Sequence, residues 1–410
     1  MKLTHGIGLL SFGCALAFAG CSEATPGSDG GVGPSPGIDA SPGTDGSPGT
    51  DGSPGTDGSP GTDSGATEKT FTTTLSGAQE SPAVGTAATG TATLVLSADR
   101  TKVTYTVNHT VAGGTAAHIH KAEGGNNGPV AHPLTPFGAS MTGTLTVSAA
   151  DVADLEQGLW YVNVHSTAHP DGELRGQVLT PGATLWVAAL SGGQENPPVT
   201  TAATGGAAII LDAAKTGIRY RITTTLTPSA GHIHKAIGSV NGPVLVPFPT
   251  VGTGIEGTAT ITAADATELQ EGRLYVNLHS AANPNGELRG QLHRPGEVLY
   301  LARMSGLNEE PPLTTTAGGG AQFILDPATN MLRYEAVFTN LTATAAHLHG
   351  GAAGTNGAVA FPLSLAGAGA KGALTLTPAN VTTLGAAGYY INVHTALNPG
   401  GEVRGQLLKP

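Results

Sequence analysis

Residues 160–177 read WYVNVHSTAHPDGELRGQ, and the way their side chains alternate decides the fold class. Successive side chains of a strand face opposite ways. Val162 and Val164 therefore share one face, and Tyr161, Asn163 and His165 share the other. The aliphatic face is the expected core, leaving His165 on an outer face. The stretch returns as LYVNLHSAANPNGELRGQ at 274–291 and as YYINVHTALNPGGEVRGQ at 389–406. Val276 and Leu278 then oppose Tyr275, Asn277 and His279, and Ile391 and Val393 oppose Tyr390, Asn392 and His394.

Two further landmarks repeat around this one. LSGAQESP at 75–82 returns as LSGGQENPP at 190–198 and MSGLNEEPP at 304–312. His-x-His segments begin at 118, 232 and 347, offsets of 114 and 115 residues. Three like domains are expected, over 69–181, 182–296 and 297–410, each long enough to bury its own core. The connectors TPGAT at 180–184 and RPGEV at 294–298 are short, so neighbouring domains are expected to touch or to hold a limited range of angles.

Within a repeat, the alternating runs TATLVLS at 91–97 and KVTYTVN at 102–108 flank ADRT, which reads as a hairpin. SAADVADLEQG at 148–158 departs from alternation: Ser148 with Asp151 fits a capping box, and Gly158 can close a short helix. Its counterparts open at Thr262 and Thr377. Seven or eight short strands with one helical segment predict an all-β chain of tandem antiparallel Greek-key sandwiches or barrels.

The N-terminal part differs. Lys2 precedes an apolar run from Ile7 to Phe18 that is too short to span a bilayer, and it reads as an export signal over residues 1–20. Its end, LAFAGC at 16–21, resembles the lipobox of bacterial lipoproteins, which implies acylation of Cys21. Phe18 departs from the aliphatic residue that motif prefers, so a plain secretory signal stands as the alternative. Ser22 after Cys21, where an Asp would direct retention, leans toward the outer membrane. Several acyl chains would anchor firmly where one gives only marginal attachment.

Residues 21–68, which from Pro26 to about Gly65 are almost all Gly, Ser, Pro, Thr and Asp with little to bury, read as a disordered tether. Glycine at every third position from Gly43 to Asp63 has the collagen period, which leaves a trimerising stalk open beside a flexible chain. A flexible tether of about 40 residues would hold the first domain some 35 Å from the anchor.

Composition excludes whole classes. Of two cysteines, Cys14 lies in the signal and Cys21 is the lipidation site, so no disulfide or thiolate metal site is expected. A formal charge of −11 and no basic run argue against nucleic acid and against docking on anionic lipid by charge.

The histidines carry the chemistry. In each His-x-His segment Ile119, Ile233 or Leu348 takes the core face, sending both flanking histidines outward. Imidazoles at i and i+2 of a strand have Cβ atoms roughly 6–7 Å apart, and their rings can converge on one ion. A third His from a neighbouring strand would complete a three-nitrogen face with an open position. The candidate sets are His118, His120, His165; His232, His234, His279; and His347, His349, His394, nine of the 14 histidines. A hydrogen-bonded surface without metal remains the alternative. His132, His169 and His293 have no counterpart in the other copies. Glu173 with Arg175, Glu287 with Arg289 and Glu402 with Arg404 read as structural ion pairs or backbone clamps, with substrate steering by the arginine second. Gln79–Glu80 and Gln194–Glu195 are expected to finish the first strand, and Asn308–Glu309–Glu310 suggests that the polar set there is not fixed.

LSGAQESP, AHIHKAEGGNNGPV and YVNVHSTAHPDGELRGQ, recurring in this order, resemble the CHRD domain, the module named after chordin. That resemblance implies an immunoglobulin-like barrel similar to copper/zinc superoxide dismutase, with His118 and His120 placed like its His-x-His copper pair and His165 like another copper ligand. The short loop after His120 departs from the dismutase pattern: the copies share no residue there to replace the zinc cluster, and His132 is a candidate in the first domain alone. The leading expectation is a non-enzymatic, lipid-anchored envelope protein, monomeric, presenting three domains for an unidentified protein or glycan ligand, with copper or zinc as candidate cofactors. Linked modules gain avidity. The alternatives are a copper-dependent redox enzyme of dismutase type and a metal-sequestering protein.

Overall fold

The computed structural model describes residues 67–410; the export signal, Cys21 and the Gly-x-y tract lie outside the described residues. No helix among the described residues is long and apolar enough to cross a membrane.

The first domain runs β1 (Lys69–Ser76), β2 (Thr89–Leu96), β3 (Lys102–His109), β4 (Gly114–Lys121), β5 (Val130–Pro133), β6 (Ser140–Thr146), α1 (Ala149–Glu156), β7 (Trp160–Ser166) and β8 (Leu174–Gln177). All pairings are antiparallel, in the order β5-β4-β7-β8-β1-β2-β3-β6. The hairpin read from ADRT joins β2 to β3, with Arg100 in the left-handed region at φ 60°. β1 and β8 meet through one register pair, Ser76 with Arg175, and a bridge between Thr72 and Leu179. Across this narrow seam the sheet turns back on itself: Phe71, Leu94, Val103, Ile119, Leu155, Val162 and Leu174 all belong to one buried cluster. The second and third domains repeat the order, and the third adds Leu365–Ala366 at the edge.

α1 forms where the sequence places its cap. The Ser148 side chain accepts from the Asp151 amide while Asp151 reaches back to the Ser148 amide. Gly158 ends the segment at φ 71°. Thr262 with Asp265 and Thr377 with Asn380 repeat the box.

One expectation is corrected. Tyr161 and Asn163 are not on an open outer face; each is 3% exposed. The β4–β5 loop and the segment after β1 fold over them, with the Gly128 amide donating to the Tyr161 hydroxyl and the Asn163 amide donating to Glu80.

Neighbouring domains pack directly. A Cβ on Gly124 would stand 2.4 Å from Leu185 of the second domain, and one on Gly238 2.1 Å from Leu301 of the third. A larger residue at either place would have to displace the leucine methyls that it meets.

Candidate metal centre

β4 and β7 are hydrogen-bonded neighbours, with His118 opposite Asn163 and Ala116 opposite His165. His165 is thus diagonal to His118, and His120 stands two residues further along the same face. The three imidazoles place one nitrogen each within 4.8 Å of one another, and the same holds for His232, His234, His279 and for His347, His349, His394. All nine are half-buried.

Backbone carbonyls fix the rings. His120 Nδ1 lies 2.9 Å from the Gly128 carbonyl and His165 Nδ1 2.9 Å from the Pro170 carbonyl. A carbonyl only accepts, so both nitrogens carry the proton and both Nε2 atoms present lone pairs. The equivalents are His234 with Gly242 (3.0 Å), His279 with Pro284 (3.0 Å), His349 with Gly357 (2.9 Å) and His394 with Pro399 (3.0 Å). His120, His234 and His349 each leave a buried Nε2 with no hydrogen-bond partner. His118 Nδ1 faces His165 Nε2 at 3.1 Å, with counterparts at 3.2 and 3.0 Å.

That donor set fits a metal. Two nitrogens bound tetrahedrally at 2.0–2.1 Å stand roughly 3.3–3.4 Å apart, close to the His118–His165 separation. A buried, unpartnered ring nitrogen three times over is costly for a purely structural cluster. Burial, and then repulsion between neighbouring rings, holds His118, His232 and His347 below the ordinary imidazole value. Burial also lowers His120, His234 and His394, against a raising contribution from their carbonyl partners. The neutral imidazole is the ligating form. Three neutral nitrogens suit copper or zinc and leave a coordination position open.

The glutamate–arginine pairs do not bond to each other. Arg175 is 1% exposed; its guanidinium lies 3.6 Å from the Tyr161 ring centroid and donates to Asn127 Oδ1 (3.1 Å) and the Glu123 carbonyl (3.3 Å). Glu173 instead accepts from Thr86 (2.7 Å), and Glu287 and Glu402 from Thr201 and Thr315. The partners come from distant loops, so spacing along the strand could not reveal them.

His132 lies opposite Ile119, on the core-facing side of the sheet, where it meets Trp160 and Asp151. It therefore stands apart from the first triad. His169 closes the turn after β7, its amide donating to Ser166 Oγ. The His293 backbone pairs with Val187 where the second domain ends.

The sequence reading expected Gln79–Glu80 and Gln194–Glu195 only to finish the first strand; β1 instead ends at Ser76, and the glutamates stand behind the site. Glu80, Glu195 and Glu309 each accept from the buried Asn163, Asn277 or Asn392. LSGAQESP set against MSGLNEEPP already pairs Glu80 with Glu309, so the glutamate is kept and only its neighbours, Gln79 against Asn308 and Ser81 against Glu310, vary.

Comparison with known proteins agrees with the threefold organisation. The CHRD domain family matches residues 71–178, 186–292 and 300–407. Chordin of Danio rerio is 31% identical over 162 residues, a stretch covering 35% of this chain and 17% of Chordin. The chain thus spans under a fifth of that relative's length. No solved structure matches.

Proposed function

The chain belongs to the CHRD-domain family, and we propose that it is an exported lipoprotein whose three domains form a binding module with one three-histidine copper or zinc site in each. Acylated Cys21 anchors it in the cell envelope, with Ser22 favouring the outer membrane, and residues 21–68 tether the domains. The observation that carries the metal assignment is the threefold recurrence of two carbonyl-fixed imidazoles and a third facing them.

The test is metal content of the purified full chain after loading with copper or zinc, beside a variant with all nine histidines changed to alanine. Three tight ions per native chain, lost in a variant whose circular dichroism is unchanged, support the assignment; a native chain that retains none sinks it. The open position favours a second reading, a copper-dependent redox enzyme. Copper-loaded chain that turns over superoxide would select that reading over the binding module, and loading without turnover would leave binding or metal sequestration.

A further inference from the structure

The recurrent glutamate and arginine touch none of the nine histidines, yet each leads to one of the carbonyls that fix them. Arg175 ties down the β4–β5 loop at both ends: it donates to the Glu123 carbonyl and to Asn127, whose own amide donates to the Ser81 carbonyl (2.6 Å). Directly after the Asn127 anchor sits Gly128, whose carbonyl accepts from His120 and whose amide donates to Tyr161. Tyr161 in turn is sandwiched, with Arg175 on one side and the His120 ring stacked at 5.0 Å. A Cβ on Gly128 would lie 1.9 Å from the Lys121 carbonyl, so the loop closes only with glycine there. Arg289 repeats this with Asn241 (3.2 Å) and the Ile237 carbonyl (3.0 Å), and Arg404 with Asn356 (3.3 Å) and the Ala352 and Thr355 carbonyls.

The glutamate serves the other ring. In the third domain Thr395 donates to Glu402 (2.6 Å), and the Thr395 oxygen accepts from the Asn398 amide (3.1 Å). That fixes the turn whose Pro399 carbonyl accepts from His394. In the second domain Ser280 bonds to Glu287 and accepts from Asn283, ahead of Pro284 and His279.

We infer that Arg175, Arg289 and Arg404 are positioning residues that hold His120, His234 and His349 in the Nδ1-protonated tautomer, and that Glu173, Glu287 and Glu402 do the same for His165, His279 and His394. Each acts through a loop carbonyl, so that both Nε2 lone pairs converge before any ion arrives. The inference rests on the metal reading for its purpose, but the tautomer lock is a property of the chain alone. Supports behind metal-binding histidines commonly govern affinity by about 10–100-fold.

The experiment uses the metal-free full chain labelled with 15N-histidine, in which long-range proton–nitrogen correlations report which ring nitrogen carries the proton. Arg289→Lys keeps the charge and loses the forked contacts; Thr395→Val keeps the shape and removes the hydroxyl that links Glu402 to its turn. In each variant the two untouched domains are internal controls for folding. The expected result is loss of the single Nδ1–H tautomer at His234 in the first variant and at His394 in the second. Copper affinity of the altered domain should fall by about 10–100-fold. Unchanged tautomers at both histidines would overturn the inference. Tautomers that shift as expected in a chain that takes up no copper would uphold the positioning role and reject the metal reading separately.

Discussion

At the residue scale, burial sets two opposite demands beside the site. It holds the imidazoles of His118, His120, His232, His234, His347 and His394 below their ordinary value, and it pushes the carboxyls of Glu80 and Glu195 up to about 7 from an ordinary 4.5, despite the nearby arginines and the asparagine amides. Glu309 is raised for the same reason. A carboxyl with a raised folded pKa holds its proton in the folded state while the unfolded chain has lost it. Its contribution to stability is therefore complete below about 4.5 and is lost as pH rises through about 7. Glu80→Gln with Glu195→Gln mimics the protonated form. This double variant is expected to flatten the fall in urea midpoint between pH 5 and pH 7.5 relative to the parent, and to raise the midpoint above pH 7; an unchanged difference across that range would refute the assignment. His118 yields a second prediction. Its Nδ1 donates to His165 Nε2 in the metal-free chain, because the His165 Nδ1 proton is committed to Pro170. Ligation through that nitrogen requires its proton to leave, so loading with zinc is expected to move His118 from the Nδ1–H to the Nε2–H tautomer. Persistence of the Nδ1–H signal at full loading would exclude ligation through that atom.

At the element scale, strand alternation and the capping box place the chemistry. Removing the hydroxyl in Thr262→Ala leaves the Asp265 amide without its acceptor and is expected to cost about 0.5–2 kcal/mol. Thr262→Ser, which keeps the acceptor, should cost little. Urea unfolding of the two variants checks this, and equal losses would mean that the box contributes nothing. The same elements show what was legible in the sequence. Ile119 and Val162 marked the core faces of β4 and β7, which was enough to gather His118, His120 and His165. What covers Tyr161 and Asn163 was not legible, because that layer comes from loops more than 30 residues away in sequence, such as Gly128 and Glu80. Of the two readings of Glu173 and Arg175, an ion pair or a backbone clamp, Arg175 takes the second by donating to the Glu123 carbonyl while Glu173 accepts from Thr86; each partner belongs to a different loop, and periodicity along one strand carries no information about loops folded over it.

At the scale of the whole molecule, the three domains are alike in their sites and unlike where they meet. The outward positions of β1 are Thr70, Thr72 and Thr74, all exposed, in the first domain. Their counterparts Leu185 and Leu299 are buried, and Leu301, matching Thr72, is 5% exposed. Apolar residues thus stand where a preceding domain docks, and threonines where none of the three does. Charges at the two junctions are reversed. Arg221 of the second domain bonds to Gln157 and faces Glu123 of the first, whereas Glu335, its counterpart in the third, accepts from Arg273 of the second (2.7 Å). Docked on the first domain, the third would set Glu335 against Glu123 and lose its arginine, since Leu159 matches Arg273. Repulsion against the wrong partner adds to attraction for the right one. Arg273→Glu and Glu335→Arg are each expected to loosen the junction between second and third domains, and the double variant to recover it. A double-mutant cycle on thermal unfolding should return a coupling of about 0.5–3 kcal/mol, as contacting partners do. Small-angle scattering should show the single variants extended and the double variant as compact as the parent. Strictly additive effects would mean that the apolar contact at Gly238 and Leu301 fixes the order of the domains without help from charge.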